Sequence, residues 1–136
     1  PREVRLSEQG GLREEQLAGM SILSLDERHQ LHQEVQRICE RTGARLNRDY
    51  EGTSLDTLRQ MVVMGMGVAF LPALYVRSEV LHDRQVVARE MKSRPPFRLV
   101  GMVWRQHSAR SEEFETLAEL IRTILKNNDL PVTVVS

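Results

Sequence analysis

Thr53-Ser54-Leu55-Asp56-Thr57-Leu58-Arg59-Gln60-Met61-Val62, continuing through Gly65-Met66-Gly67 into Val68-Ala69-Phe70-Leu71-Pro72-Ala73, carries a helix, its stop and a buried strand in one stretch. A hydroxyl at Thr53 suits a helix cap, and Asp56 three residues on makes a variant of the capping box that also favours the positive end of the helix dipole. Leu55, Leu58, Met61 and Val62 recur at helical spacing as far as Gly65 and Gly67, where the helix is expected to end. Val68 to Leu71 is a continuous apolar run of the kind a buried strand shows, and Pro72 stops it.

Upstream the same alternation repeats. Met20-Ser21-Ile22-Leu23-Ser24-Leu25 reads as a short strand closed by Asp26 and Glu27. From His29 to Thr42, Leu31, Val35 and Ile38 mark the core stripe of a surface helix that Gly43 terminates. Leu46 to Gly52 reads as a second strand, with Tyr50 its one large side chain. Strand, helix, strand, helix, strand with short joints builds a parallel sheet with right-handed crossovers, so the fold class is α/β. Downstream, Val86-Val87-Ala88 and Leu99-Val100-Gly101-Met102-Val103-Trp104 are expected to add two strands, parted by Pro95-Pro96. Phe114, Leu117, Ala118, Ile121, Ile124 and Leu125 predict a final amphipathic helix, capped by Ser108 or Ser111 and with Glu112 and Glu113 in its first turn. Residues 1–19 are polar around Gly10-Gly11 and read as a connection from an upstream element, the packed structure starting at Met20.

The totals exclude several classes of function. Lys plus Arg and Asp plus Glu both number 19, so no global field draws the chain to nucleic acid or anionic lipid. No apolar run nears the ~20 residues that cross a bilayer, and no membrane partner is expected. The one cysteine, Cys39, excludes an intrachain disulfide and fits a reducing cytoplasm. Apart from His29 and His32, three residues apart, the histidines His29, His32, His82 and His107 do not fall at ligand spacing with Cys39 or with carboxylates on one helical face, so no metal site and no cofactor is expected. No nucleophile elbow, phosphate-binding glycine loop or carboxylate pair is legible, and the expectation is that the chain is not an enzyme. A chain of 136 residues that opens on Pro1 is expected to be one domain of a longer protein.

The block from Thr53 to Ala73, with Leu23-Ser24-Leu25-Asp26-Glu27-Arg28-His29 before it and Gly101-Met102-Val103-Trp104-Arg105 after it, resembles the effector domain of LysR-type transcriptional regulators. Within that family it is most similar to the OxyR-like, hydrogen-peroxide-inducible gene activators, over roughly residues 17–127. The resemblance implies a lobe like those of periplasmic binding proteins, with a mostly parallel sheet flanked by helices and a closing helix at the carboxyl end. On this reading residues 1–19 connect from a missing first lobe and residues 20–136 form the second lobe. A winged helix-turn-helix would then meet promoter DNA elsewhere in the polypeptide, acting as a homodimer or homotetramer. The alternatives are a stand-alone solute-binding lobe of transport type and an enzyme on a similar scaffold.

Loops at the carboxyl ends of strands hold the ligands of open α/β sheets, which makes His29, Gln30, Thr53 and Ser54 the candidate effector-binding residues. Free N–H groups at the start of the helix near Thr53, beside two hydroxyls, suit a small anionic effector, while the plain alternative is that these hydroxyls only cap. In the OxyR-like pattern the residue after the histidine is the peroxide-reactive cysteine; here it is Gln30, which hydrogen-bonds but has no redox chemistry. Cys39 matches the second switching cysteine and is the candidate redox residue, although a lone thiol there also serves as a small core side chain. Met61, Met64 and Met66 form a cluster read as core filler rather than a sulfoxide sensor.

Overall fold

The computed structural model describes residues 10–135, which divide into two compact units meeting at Pro96 and Phe97. In the first, β1 (Ser21–Leu25), α1 (Gln30–Thr42), β2 (Arg45–Gly52), α2 (Leu55–Val63) and β3 (Val68–Ala69) follow in the expected order. The strands form a parallel sheet in the order β2-β1-β3. That order puts each crossover helix against the central strand.

Alternation along β1 splits the core in two. Ile22 turns to one face and packs with Val35, Ile38 and Cys39 of α1, while Leu23 and Leu25 turn to the other and meet Leu58 and Met61 of α2. α1 ends because Gly43 takes the left-handed conformation, φ 74°, and its N–H reaches the Cys39 carbonyl at 3.0 Å. A residue with a Cβ is disfavoured in that conformation. Gly52 meets a different constraint: a Cβ there would lie 2.8 Å from the side chain of Leu58, so β2 can end beneath α2 only on glycine.

Four expectations are corrected. Packed structure begins before Met20: Glu14–Leu17 form a turn of 3-10 helix, and Leu17, 1% exposed, joins the α1 core. An isolated apolar residue in a polar segment carries no periodicity to reveal it. β3 covers only Val68–Ala69, since β1 pairs with it through Ile22 and Leu23 alone and Phe70–Pro72 lead out of the sheet. Val86–Ala88 form no strand, although Leu12 makes a parallel bridge with nearby Met91. Leu99–Trp104 form no strand either: among the described residues they have no ladder partner, and Val103 is 95% exposed. A strand exists only through a neighbour's hydrogen bonds, and β-propensity cannot supply one.

After β3 the chain makes a single helical turn, α3 (Ala73–Tyr75), then a π-helical turn at Val76–Val80 that buries Val80. The second unit contains α4 (Ser111–Asn127), with Glu112 and Glu113 in its first turn as expected. Neither serine caps it directly. Arg110 is the cap residue, Ser108 Oγ accepts from the Arg110 N–H at 3.2 Å, and Ser111 Oγ donates to the Ser108 carbonyl at 2.8 Å. The rings of Trp104 and Phe114 are tilted at 46° to each other with centroids 6.0 Å apart, and the Arg110 guanidinium lies over the Phe114 ring, 5.5 Å from its centroid. Leu117, Leu120, Ile121 and Ile124 of α4 are exposed.

Candidate functional site

The parallel pairing of β1 with β2 aligns Leu25 with Gly52, and the Asp26 N–H donates to the Gly52 carbonyl at 3.3 Å. The joints that follow these strands are therefore neighbours on one edge of the sheet. His29 and Gln30 lie on one joint, Thr53 and Ser54 on the other, and all four are exposed. Topology thus brings together residues 24 positions apart, the relation expected of a ligand-binding edge.

In the first joint Asp26 organises the turn. Its Oδ1 accepts from the Arg28 N–H at 3.0 Å and from Arg28 Nε at 2.9 Å, and its Oδ2 accepts from the other end of the guanidinium at 2.9 Å. This two-pronged grip holds the Asp26 carboxyl down at about 2. His29 is the cap residue of α1, its Nε2 3.7 Å from Asp26 Oδ2, and its side chain makes no capping bond. Gln30 opens the helix with its side chain exposed.

The second joint differs from the expected cap by one residue. Ser54, in extended conformation, is the cap of α2, and its Oγ accepts from the Thr57 N–H at 3.1 Å. Thr53 lies outside the helix, its hydroxyl 3.5 Å from that of Thr57, which in turn is 3.0 Å from Ser54 Oγ. Asp56 falls in the first turn, but not at the capping-box position, which Thr57 takes.

A second cluster joins α2 to the segment after β3. The Tyr75 hydroxyl donates to Asp56 Oδ1, and Arg59 donates to Asp83 Oδ2 at 2.5 Å, so α2 is clasped to the segment after β3. The nearby Tyr75 hydroxyl, then Asp83, push the Arg59 guanidinium above its ordinary value, and burial pushes the Tyr75 phenol up. These partners are 19 and 24 residues apart, beyond any periodicity. The acid in the first turn of α2 was the only available clue.

Cys39 is not part of this edge. It lies nine residues after Gln30, about 13 Å along α1 at the ordinary rise per residue, and is buried in the α1 core. Burial pushes its thiol up, away from the thiolate that reacts with peroxide. Among the described residues no three His, Cys, Asp or Glu side chains gather so as to hold a metal ion, and no helix is long and apolar enough to cross a membrane. Met61 is buried against Leu23 and Leu58, whereas Met64 is exposed.

Known proteins share this fold. The LysR substrate binding domain family matches residues 1–126. The chain is 39% identical over 106 residues to the DNA-binding transcriptional dual regulator OxyR of Escherichia coli K12, covering 78% of this chain and 34% of that protein. It is 31% identical over 136 residues to a probable hydrogen peroxide-inducible genes activator of Streptomyces viridosporus, covering 99% of this chain and 43% of that protein. It therefore spans less than half the length of these relatives. The crystal structure of the reduced form of OxyR superposes with a TM-score of 0.73 at 30% identity, over 92% of this chain and 57% of that one. The oxidized form gives 0.71 at 32% identity, over 92% and 58%. The lobe is thus of the expected periplasmic-binding-protein-like class, and the chain belongs to the LysR substrate binding domain family.

Proposed function

We propose that this chain is the effector-sensing part of a LysR-type DNA-binding transcriptional regulator. The family match along residues 1–126 carries this reading and favours it over a transport-type solute-binding lobe. In this reading residues 1–19 enter from a first lobe, and residues 20–136 form the second lobe with its closing helix. The winged helix-turn-helix lies elsewhere in the polypeptide. The apolar positions that α4 leaves exposed support it, because a helix of that pattern is built to dock.

A small anionic molecule binds between the lobes against His29, Gln30, Thr53 and Ser54. Its higher affinity for one arrangement of the lobes shifts their orientation, and with it the way a homodimer or homotetramer presents its DNA-binding domains to a promoter in the cytoplasm. No bond is made or broken in the effector. Gln30 stands where the OxyR-like pattern has its reactive thiol and Cys39 is buried alone, so occupancy rather than a disulfide is the signal.

Fluorescence anisotropy of labelled promoter DNA with the intact regulator, titrated with small carboxylates, tests this. The wild type should change its promoter affinity, and Gln30→Ala should need about five- to tenfold more ligand, the cost of one hydrogen bond to a charged group. An intact polypeptide that binds no DNA, or whose promoter affinity no carboxylate moves, contradicts the reading.

A further inference from the structure

Asp56 and Arg59 lie three residues apart on α2, the spacing at which an acid and a base on a helix surface are neighbours and ordinarily pair. They do not pair here. Asp56 accepts from the Tyr75 hydroxyl and Arg59 donates to Asp83, so each is drawn instead to residues 73–83. The crossed arrangement leaves a donor unmet: Arg59 Nε is buried and has no hydrogen-bond partner among the described residues. An unmet buried donor costs stability, and Asp56, one turn back on the same helix, is the carboxylate that could fill it.

Residues 73–83 are lightly held. Leu74 and Leu81 are exposed, and Val80 is the one fully buried side chain among them. Their backbone includes the π-helical turn, closed by the Leu81 N–H on the Val76 carbonyl at 2.9 Å, a rare form that is frequent at functional sites. Further on, the Leu12 N–H donates to the Glu90 carbonyl at 2.7 Å, and the Leu12 carbonyl accepts from the Lys92 N–H at 2.9 Å. The chain leaving β3 is thus tied at both ends and latched to α2 between them.

From the crossed partners and the unmet donor we infer that residues 73–83 form a strap with two states. In the latched state Asp56 holds Tyr75 and Asp83 holds Arg59. In the released state Arg59 turns to Asp56 on its own helix, Tyr75 and Asp83 turn to water, and the strap lifts from α2. Charged groups keep a charged partner or gain water in both states, so the exchange trades bonds rather than losing them. Burial of Val80 favours the latched state. Asp56 stands two residues after the Ser54 cap, so movement at the start of α2 decides which partner it holds. That signalling role rests on the proposed function, whereas the exchange of partners does not.

Hydrogen exchange of the intact polypeptide, followed by mass spectrometry over residues 73–83, tests it. Tyr75→Phe deletes the hydroxyl that occupies Asp56, so Arg59 should leave Asp83 and exchange in the strap should quicken about tenfold, with α1 and β1 unchanged. Asp56→Asn removes the carboxylate that competes for Arg59 yet still accepts from Tyr75, and it should keep the wild-type rate. The double variant Tyr75→Phe with Asp56→Asn separates exchange of partners from two independent bonds. With no carboxylate to move to, Arg59 stays on Asp83 and most of the protection should return. A double variant as fast as Tyr75→Phe alone, or faster, would overturn the inference, as would a strap whose exchange Tyr75→Phe leaves untouched. Should Tyr75→Phe fail to fold, Asp83→Asn takes its place. Exchange should then quicken as Arg59 moves to Asp56, and adding Asp56→Asn should slow it again; a second substitution that does not slow it sinks the proposal.

Discussion

His32 Nδ1 lies 2.8 Å from the carbonyl oxygen of Leu25, which fastens the first turn of α1 to the last residue of β1. A carbonyl only accepts, so this bond fixes the proton on Nδ1 and leaves Nε2 without one in the neutral ring. The candidate site is thereby held by the end of a central strand rather than by a free loop. His32→Ala should cost about 1 kcal/mol in denaturant unfolding, the usual worth of a partly buried bond. It should also speed hydrogen exchange at the start of α1. Unchanged stability and exchange would show that packing alone sets this joint.

The cap of α2 separates two adjacent hydroxyls. Ser54→Ala should destabilise by about 1 kcal/mol, whereas Thr53→Ala should change stability by only a few tenths, roughly the effect of a surface substitution. Chemical denaturation of both variants checks this. A reversed order would return the cap to Thr53.

Acid should release the Asp26 turn at an unusual pH. The folded carboxyl, held at about 2 by Arg28, lies below the ordinary aspartate value of about 3.9. Its pairing therefore contributes fully above that ordinary value and is lost as pH falls toward 2, because the unfolded chain takes up the proton first. The side-chain carbon resonance of Asp26 should titrate near 2. A midpoint at the ordinary value would mean that the Arg28 grip does not persist in solution.

Cys39 should behave as a core residue. Its thiol is buried and pushed up by that burial, so alkylation should be slow until the chain unfolds, and Cys39→Ser should leave the fold nearly intact. Rapid stoichiometric sulfenic acid under mild peroxide, read by mass spectrometry, would show the opposite.

Much of the first unit was legible because its signals are local. Helical spacing in Leu31, Val35 and Ile38, the glycine at 43 and the apolar run after Gly67 each declare an element, and the right-handed crossover then places the joints after β1 and β2 side by side. What local pattern could not show depends on partners. Leu99–Trp104 has strand composition but no ladder, and Leu17 is buried by residues of α1 that come after it in the chain. Thr53 and Ser54 are chemically alike as caps, and only the backbone conformation chooses Ser54. Ser24 was visible as a polar residue in an apolar strand, but its burial without a partner depends on what α1 covers.

The central claim is that the signal enters as a bound molecule at the β1–α1 joint and not through a thiol. Promoter affinity of the intact regulator, measured by anisotropy before and after stoichiometric peroxide under non-reducing conditions, tests this most directly. The account predicts the same affinity in both states and no disulfide at Cys39. A shift of about tenfold, or 1.4 kcal/mol, that dithiothreitol reverses and that Cys39→Ser abolishes would contradict it.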